Sequence, residues 1–198
     1  VAVLSVPMLL IALVVFLQDF HNPIFKQVRV TKDGRFFTMY KFRTMCVNAE
    51  QKLEELRSQN EADGPVFKMK KDPRVTPIGG FLRKTSLDEL PQLWNILVGD
   101  MAVIGPRPAL WNQYDLLAER DKYGANDVRP GLTGWAQIHG RDELEIVDKA
   151  RLDGYYVEHL SFGMDVKCFF GTIRAVLDHD GVVEGGTGTL HEEENHKK

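Results

Sequence analysis

The first seventeen residues place the strongest constraint on how this chain folds. The run VAVLSVPMLLIALVVFL contains no charged residue and one polar residue, Ser5. A helix that spans a bilayer needs about 20 apolar residues, with a lower limit near 17, so this run lies at that limit. It lacks the basic start and the small-residue cleavage site of a signal peptide. A helix buried in a domain core, a spanning helix and a re-entrant helix all stay open.

Pro7 bears on the choice between spanning and re-entry. Proline removes a backbone donor and kinks a helix, and the hydroxyl of Ser5, two residues earlier, could bond a freed carbonyl. A kink over residues 5–7 favours a helix that enters and leaves on one membrane face; a bent spanning helix is the alternative. We expect residues 1–18 to be membrane-inserted. Because the chain begins on Val1, we also expect earlier membrane residues to have been trimmed.

The residues after this run indicate an orientation. One acidic residue, Asp33, lies among six basic residues: Lys26, Arg29, Lys32, Arg35, Lys41 and Arg43. By the positive-inside rule this flank is cytoplasmic, and it could contact anionic lipid headgroups. A solvated charged face is the alternative. We therefore expect residues 19–180 to form a domain that faces the cytoplasm, followed by a mobile tail, 181–198, in which His191 and His196 are solvated.

Composition excludes several classes of protein. The 198 residues suit one domain, and 43% hydrophobic residues are enough for a packed core. The net charge of −3 argues against a general nucleic-acid binder, although a local basic patch stays open. The two cysteines, Cys46 and Cys168, have no spaced partners, so the sequence predicts no disulfide framework and no zinc cluster, as in a reducing compartment.

Local patterns predict an α+β fold that is mostly helical, with one small β-hairpin. The hairpin covers residues 24–42, with its turn at Lys32-Asp33-Gly34. A polar surface helix follows over 46–60, then an ordered basic loop over 68–80. Further helices are predicted over 86–97, 109–123, 144–156 and 162–177, with a rigid turn at 105–108 and a loop at 129–135.

The last of these helices has an apolar stripe. Its members recur at helical spacing: Phe162, Val166, Phe169, Ile173 and Val176. Lys167 and Arg174 lie on another face. This pattern is typical of an amphipathic helix at a bilayer surface, and a helix that packs on a core is the alternative.

The sequence around residue 88 allows a structural and a chemical interpretation. Ser86 followed three residues later by Glu89 forms a capping box, and acidic residues suit the first turn of a helix. Pro91 also prefers a first turn, so Asp88 could itself be the cap. In this interpretation the acidic pair only begins a helix.

The chemical interpretation is phosphoryl transfer. A carboxylate can be the nucleophile, but two anionic reactants must then meet, which requires a divalent metal and Arg or Lys side chains. Asp88 and Glu89 are adjacent, so on a helix their side chains diverge by about 100° and would take separate roles. One would attack, and the other would hold the metal or position its partner. Arg83, Lys84 and Arg107 are candidates for phosphate contacts.

Several motifs in order resemble those of one family. They are YKFRTM (40–45), LDELPQLWN (87–95), VGDM (98–101), IGPRP (104–108), RPGLTGWAQ (129–137) and DGYYV (153–157). Together they resemble the bacterial sugar transferases, the monotopic polyprenyl-phosphate phosphoglycosyl transferases, over residues 5–170. The family's first helix is re-entrant with a Ser–Pro break, whereas here Val6 separates Ser5 from Pro7.

The resemblance implies a two-step reaction at the bacterial inner membrane. Asp88 would attack the phosphate nearest the sugar of a UDP-sugar and release UMP, and Glu89 would assist through Mg²⁺ or as a base. A polyprenyl phosphate, typically undecaprenyl phosphate, would then take the phospho-sugar from Asp88. The product, a polyprenyl-diphosphate sugar, would begin envelope glycoconjugate or exopolysaccharide synthesis. The implied site residues are Asp88 and Glu89, both also metal ligands, with Lys41, Arg83, Arg107 and Asp153 for substrate.

Three other functions fit parts of the sequence. A non-catalytic membrane-anchored scaffold of a polysaccharide assembly would use the same anchor, with the acidic pair as a helix cap. An ordinary glycosyltransferase would release UDP rather than UMP and form no aspartyl adduct. A nucleic-acid binder would use residues 68–84, against the acidic total charge. The sugar and the oligomeric state, a homo-oligomer included, stay open.

Overall fold

A computed structural model of the chain describes residues 2–56, 72–140 and 144–178. Its helices are α1 (Ala2–Leu17), α2 (Ala49–Leu56), α3 (Pro77–Lys84), α4 (Gln92–Leu97), α5 (Tyr114–Asp121), α6 (Trp135–Ile138), α7 (Ile146–Glu158) and α8 (Phe162–Asp178). Its strands are β1 (Ile24–Val30), β2 (Phe36–Phe42), β3 (Ala102–Ile104) and β4 (Gly131–Thr133). The predicted tail and residues 57–60 and 68–71 of two predicted segments lie outside the described residues.

Helix α1 runs from Ala2 to Leu17 with Pro7 inside it, so the chain stays helical across the kink expected over residues 5–7. Pro7 lies in the second turn, where its missing N–H costs one intrahelical hydrogen bond, and the helix tolerates that loss. Among the residues that the structure describes, no helix combines the length and the apolarity needed to cross a bilayer.

One side of α1 belongs to the protein core. Val15 is 1% exposed and packs with Phe42 of β2 and Leu82 of α3. The opposite side stays apolar and uncovered: Leu9 is 70% exposed and Leu13 52%. The helix is therefore attached to the rest of the chain by packing along its own length.

The predicted hairpin is confirmed. β1 and β2 pair antiparallel from Ile24 opposite Phe42 to Val30 opposite Phe36. The turn falls at Lys32–Gly34, where Asp33 (φ 60°) and Gly34 (φ 71°) take left-handed conformations that Asp and Gly accept readily. Strand residues alternate between faces, so Lys41 shares the inward face of Phe37 and Met39.

The predicted basic loop over 68–80 is wrong at its end, because α3 begins at Pro77. Thr76 is its N-cap and accepts a hydrogen bond from the Gly79 amide at 3.0 Å, with proline at the favoured first position. The two glycines disguise this helix in the sequence. A Cβ on Gly79 would lie 1.9 Å from the Thr44 carbonyl oxygen, so close packing accounts for the glycine.

The helix predicted over 109–123 begins later, at Tyr114. Leu110 instead pairs with Arg29 as an isolated β-bridge, and the Leu110 amide donates to the Gln113 side chain at 2.8 Å. The expected helices over 144–156 and 162–177 are confirmed as α7 and α8.

Strands β3 and β4 were not predicted. They pair in parallel, with Ala102 opposite Gly131 and Ile104 opposite Thr133. Three residues are too few for a readable alternation. Glycine makes the close approach possible, since a Cβ on Gly131 would lie 2.2 Å from the Gly105 nitrogen. This pairing fixes the start of the turn that carries Arg107.

Helix α8 has a core face and an uncovered apolar face. Met164 and Cys168 are buried with Tyr156 of α7. Phe162 is 84% exposed and Phe169 50%. These two residues of the predicted apolar stripe therefore do not pack in the core.

Candidate active site

The acidic pair lies on a 3₁₀ turn, Leu87–Glu89, that precedes α4. The capping box predicted for Ser86 and Glu89 is wrong: Ser86 has a left-handed backbone (φ 55°) and its side chain makes no capping bond. The helix expected from residue 86 accordingly begins at Gln92. Leu87 and Leu90, three residues apart, pack against the core of α1, β2 and α3. This anchorage holds the turn in place, with Asp88 and Glu89 on the wall of a cleft.

Glu89 is held by two cations. Its Oε1 accepts a hydrogen bond from Lys41 Nζ at 2.9 Å and another from Arg107 Nη2 at 2.7 Å. The Glu89 side chain is 10% exposed, that of Lys41 15% and that of Arg107 28%. Burial alone would raise the pKa of Glu89, but the charges and hydrogen bonds of Arg107 and Lys41 hold it well below its usual range. Glu89 is therefore an ionised carboxylate whose charge is balanced by Lys41 and Arg107.

Asp88 has the opposite environment. It is 8% exposed, yet its carboxylate makes no hydrogen bond or salt bridge to any part of the chain that the structure describes. Burial raises the pKa of Asp88 above its usual range, and the charge of Lys41 only partly offsets this effect. Adjacent carboxylates thus differ: one is neutralised by fixed partners, and the other faces the cleft without them. Such a pair suits two different chemical roles.

The cleft has a volume of about 850 Å³ and a cationic wall. Of the residues that the structure describes, three acidic ones line it: Glu50, Asp88 and Glu89. The basic residues on the wall outnumber them threefold: Lys26, Arg29, Lys41, Arg43, Arg74, Arg83, Arg107, Arg120 and Lys149. The chain as a whole carries −3, so positive charge is concentrated where a ligand would bind. A cleft of this kind fits an anion.

The predicted substrate-binding residues are not all in equivalent positions. Lys41, Arg83 and Arg107 line the cleft with the acidic pair. Arg83 Nε donates to Thr44 Oγ1 at 2.9 Å, which fixes its position on the wall. Asp153 is 1% exposed and lies behind the wall, where it accepts hydrogen bonds from Arg120. Among the described residues, Asp153 therefore acts on the cleft indirectly, by holding Arg120 in the wall.

Sequence reasoning missed two basic residues of the wall, Arg120 and Lys149. They are 3% and 6% exposed. Arg120 Nη1 also donates to the backbone carbonyl of Arg107 at 2.9 Å, and so supports the residue that holds Glu89. One signal was available: Lys149 and Asp153 are four residues apart, on a helix face shared with Ala150 and Tyr156. Charges within an apolar stripe indicate a buried polar site.

Comparison with known proteins identifies the family. A family model described as "Bacterial sugar transferase" matches residues 1–179. The chain belongs to the bacterial sugar transferase family. Among curated members, it is similar to the exopolysaccharide production protein ExoY of Rhizobium meliloti, 39% identical over 173 residues that cover 85% of this chain and 76% of that protein.

Two longer sugar transferases are also similar. A UDP-galactose-lipid carrier transferase of Erwinia amylovora is 41% identical over 191 residues, which cover 90% of this chain and 38% of that protein. An undecaprenyl-phosphate galactose phosphotransferase of Salmonella typhimurium is 39% identical over 165 residues, covering 80% of this chain and 34% of that protein. The chain thus spans less than two-fifths of the length of these two relatives.

Proposed function

We propose that this chain moves a phospho-sugar from a UDP-sugar to a polyprenyl phosphate, releases UMP, and forms an acyl phosphate between Asp88 and the phospho-sugar on the way. The difference between the two carboxylates carries the proposal: Asp88 has no fixed partner among the described residues, whereas Glu89 is neutralised by Lys41 and Arg107. Relatives named as a galactose-lipid carrier transferase and a galactose phosphotransferase support the substrate class.

In the first step, an Asp88 carboxylate oxygen attacks the phosphorus nearest the sugar. The new P–O bond to Asp88 forms while the P–O bond to UMP breaks, and the electron pair leaves on the UMP phosphate. Lys41 and Arg107 lie beside the acidic pair and offset the charge of the donor as it approaches the carboxylate. The raised pKa of Asp88 reflects a poorly solvated carboxylate, which is a better nucleophile than a solvated one.

In the second step, a phosphate oxygen of the lipid attacks the same phosphorus. The bond between phosphorus and Asp88 breaks, the carboxylate is regenerated, and a polyprenyl-diphosphate sugar leaves. Because both substrates are polyanions, each would find counter-charges on the basic wall. A covalent intermediate of this kind predicts ping-pong kinetics.

Asp88 and Glu89 form a donor set that fits Mg²⁺. Mg²⁺ typically binds one or two carboxylates and completes its octahedron with water and substrate phosphates. Within the described residues, no group of three or more His, Cys, Asp or Glu side chains could hold a metal. We propose that Asp88 and Glu89 hold the ion. When bound, Mg²⁺ would neutralise charge on the donor's diphosphate.

We propose that the protein works at the cytoplasmic face of the bacterial inner membrane. The uncovered side of α1 presents Leu9 and Leu13, and α8 presents Phe162 and Phe169. Apolar faces of this kind are stabilised by burial among lipid acyl chains and headgroups. A membrane-attached site also meets the second substrate where that lipid resides. In this proposal α1 inserts from one side, with its packed face against the protein.

The proposal is tested by intact-protein mass spectrometry of the detergent-solubilised protein with Mg²⁺ and a panel of UDP-sugars. We expect one donor to add the mass of a phospho-sugar, and Asp88→Asn to add none. Adding polyprenyl phosphate should then discharge the adduct. A chain that forms no adduct with any donor and releases no UMP would be a scaffold, and release of UDP would indicate an ordinary glycosyltransferase.

A further inference from the structure

The cleft runs along the hairpin and has one end at each end of strand β1. It follows β1 from Ile24, beside the end of α1, to Arg29, five residues further on. At the usual strand rise this path is roughly 17 Å long. Lys41, which contacts Glu89, lies opposite Phe25 in the register, so the acidic pair is closer to the α1 end. Two ligands can therefore approach the acidic pair from different directions.

The end next to α1, here the proximal end, has apolar and basic lining. It includes Asn22, Arg43, Val47 and Leu53. Arg43 donates to Asp19 and to the carbonyl of Asn22, which ties this end to the segment that follows α1. Val47 is 55% exposed. A ligand with an anionic head and a hydrocarbon chain suits this combination of basic and apolar lining.

The other end, here the distal end, is polar and rigid. It includes Arg29, Gln113, Arg120 and Lys149. Arg29 Nη1 donates to the Pro108 carbonyl at 2.9 Å, so it is joined to the residue after Arg107. Lys149 and Arg120 are more than nine-tenths buried and still line the cleft. Buried, positioned cations with hydrogen-bonding neighbours suit a phosphate attached to a polar group.

We infer that the donor's UMP portion binds at the distal end, with Lys149 contacting the phosphate that leaves, and that the lipid phosphate enters at the proximal end. The inference rests on the proposed function and adds a site for each substrate. Arg107 lies between the ends, because its guanidinium contacts Glu89 while its carbonyl is held by Arg120. The reacting phosphorus is then within reach of Asp88 from both directions.

The two half-reactions separate the two ends experimentally. Lys149→Met removes one of the distal charges at similar side-chain length, and Lys149→Arg restores it. Val47→Asp adds a negative charge at the exposed proximal wall. Adduct formation from the UDP-sugar is followed by intact mass. Discharge is followed after the donor is removed by desalting and polyprenyl phosphate is added. Circular dichroism and the melting temperature report whether each variant is folded.

We expect Lys149→Met to slow adduct formation at least about tenfold, as for loss of a charged hydrogen-bond donor, and to weaken reversal of the adduct by added UMP. Discharge to the lipid should be unchanged, and Lys149→Arg should recover most of the loss. Val47→Asp should raise the KM for polyprenyl phosphate and leave adduct formation unchanged.

Failure of the inference differs from failure of the proposed function. If the unmodified protein forms no adduct with any donor, the proposed function is wrong. If it forms the adduct but folded Lys149→Met slows both half-reactions equally, or Val47→Asp slows adduct formation, the assignment of the ends is wrong.

Discussion

Substitutions of the two adjacent carboxylates should change stability in opposite directions. Asp88→Asn removes a buried charge that has no fixed partner among the described residues. Glu89→Gln removes the counter-charge of Lys41 and Arg107. Both changes are nearly isosteric, so packing is held constant. We expect Asp88→Asn to stabilise the fold while it abolishes adduct formation, and Glu89→Gln to destabilise it.

The magnitudes follow from burial. Removing one partner of a fully buried ion pair costs about 3–5 kcal/mol. The side chains of Lys41 and Arg107 are 15% and 28% exposed, so water compensates in part, and we expect about 2–3 kcal/mol for Glu89→Gln. For Asp88→Asn we expect the free energy of unfolding to rise by about 1 kcal/mol, the usual gain when an unfavourable charge in a functional site is removed. For a chain of this size each kcal/mol shifts Tm by about 2–4 °C.

The pH dependence of stability predicts the same opposite signs for the two carboxylates. The pKa of Asp88 is raised on folding, so its ionised form costs stability at neutral pH, and that cost disappears as pH falls through the folded-state pKa. The pKa of Glu89 is lowered, so its contribution is present above the unfolded-state value and is lost as pH falls through the folded-state value. Asp88→Asn should therefore gain most stability near neutral pH.

Thermal unfolding in one detergent, without donor or added Mg²⁺, measures both variants against the unmodified protein. We expect Tm to rise by about 2–4 °C for Asp88→Asn and to fall by roughly 5–10 °C for Glu89→Gln. Equal decreases in both variants would refute the reasoning, because the two carboxylates would then share one environment.

Other substitutions and conditions test separate parts of the structure. Gly79→Ala should reduce the yield of folded protein and lower Tm sharply, because its Cβ would lie 1.9 Å from a backbone oxygen. Gly80→Ala is the matched control, since its Cβ has no neighbour closer than 4.0 Å. It should raise Tm slightly, because helix propensity adds up to about 1 kcal/mol to the free energy of unfolding. Asp153→Asn leaves the guanidinium of Arg120 buried without its counter-charge and should cost about 3–5 kcal/mol in denaturant unfolding. Without Mg²⁺, the Tm difference between Asp88→Asn and the unmodified protein should shrink as pH falls, because burial raises the pKa of Asp88 and the unmodified carboxylate then becomes protonated; a difference independent of pH would contradict this.

Local signals account for the elements that the sequence predicted. The hairpin has alternating residues and an Asp33-Gly34 turn within nineteen positions of chain. Helices α7 and α8 have continuous apolar periodicity. In each case neighbouring residues determine the backbone, so a short window is enough. The acidic pair, Arg83 and Arg107 were proposed from the types of residue that phosphoryl transfer requires, and Lys41 from the family resemblance.

Long-range contacts account for the errors. Glu89 has the spacing of a capping box, but in the structure its side chain accepts hydrogen bonds from Lys41, 48 positions earlier, and from Arg107, 18 positions later. The parallel β3–β4 pair likewise depends on Gly105 and Gly131, which are distant in sequence. A local pattern cannot reveal a partner that folding brings from another element.

The packing of α1 has a consequence for how the protein can be handled. Val15 shares one core with Phe42 and Leu82, and Lys41 of the cleft precedes Phe42 directly. A helix joined to the domain only by a flexible linker could be removed without disturbing the domain. Removing α1, in contrast, would expose the apolar side chain of Phe42 in β2, the strand whose Lys41 positions Glu89. In the membrane arrangement proposed above, the fold itself would set the depth of Asp88 in the bilayer, because α1 and the strand next to the cleft share one packed core.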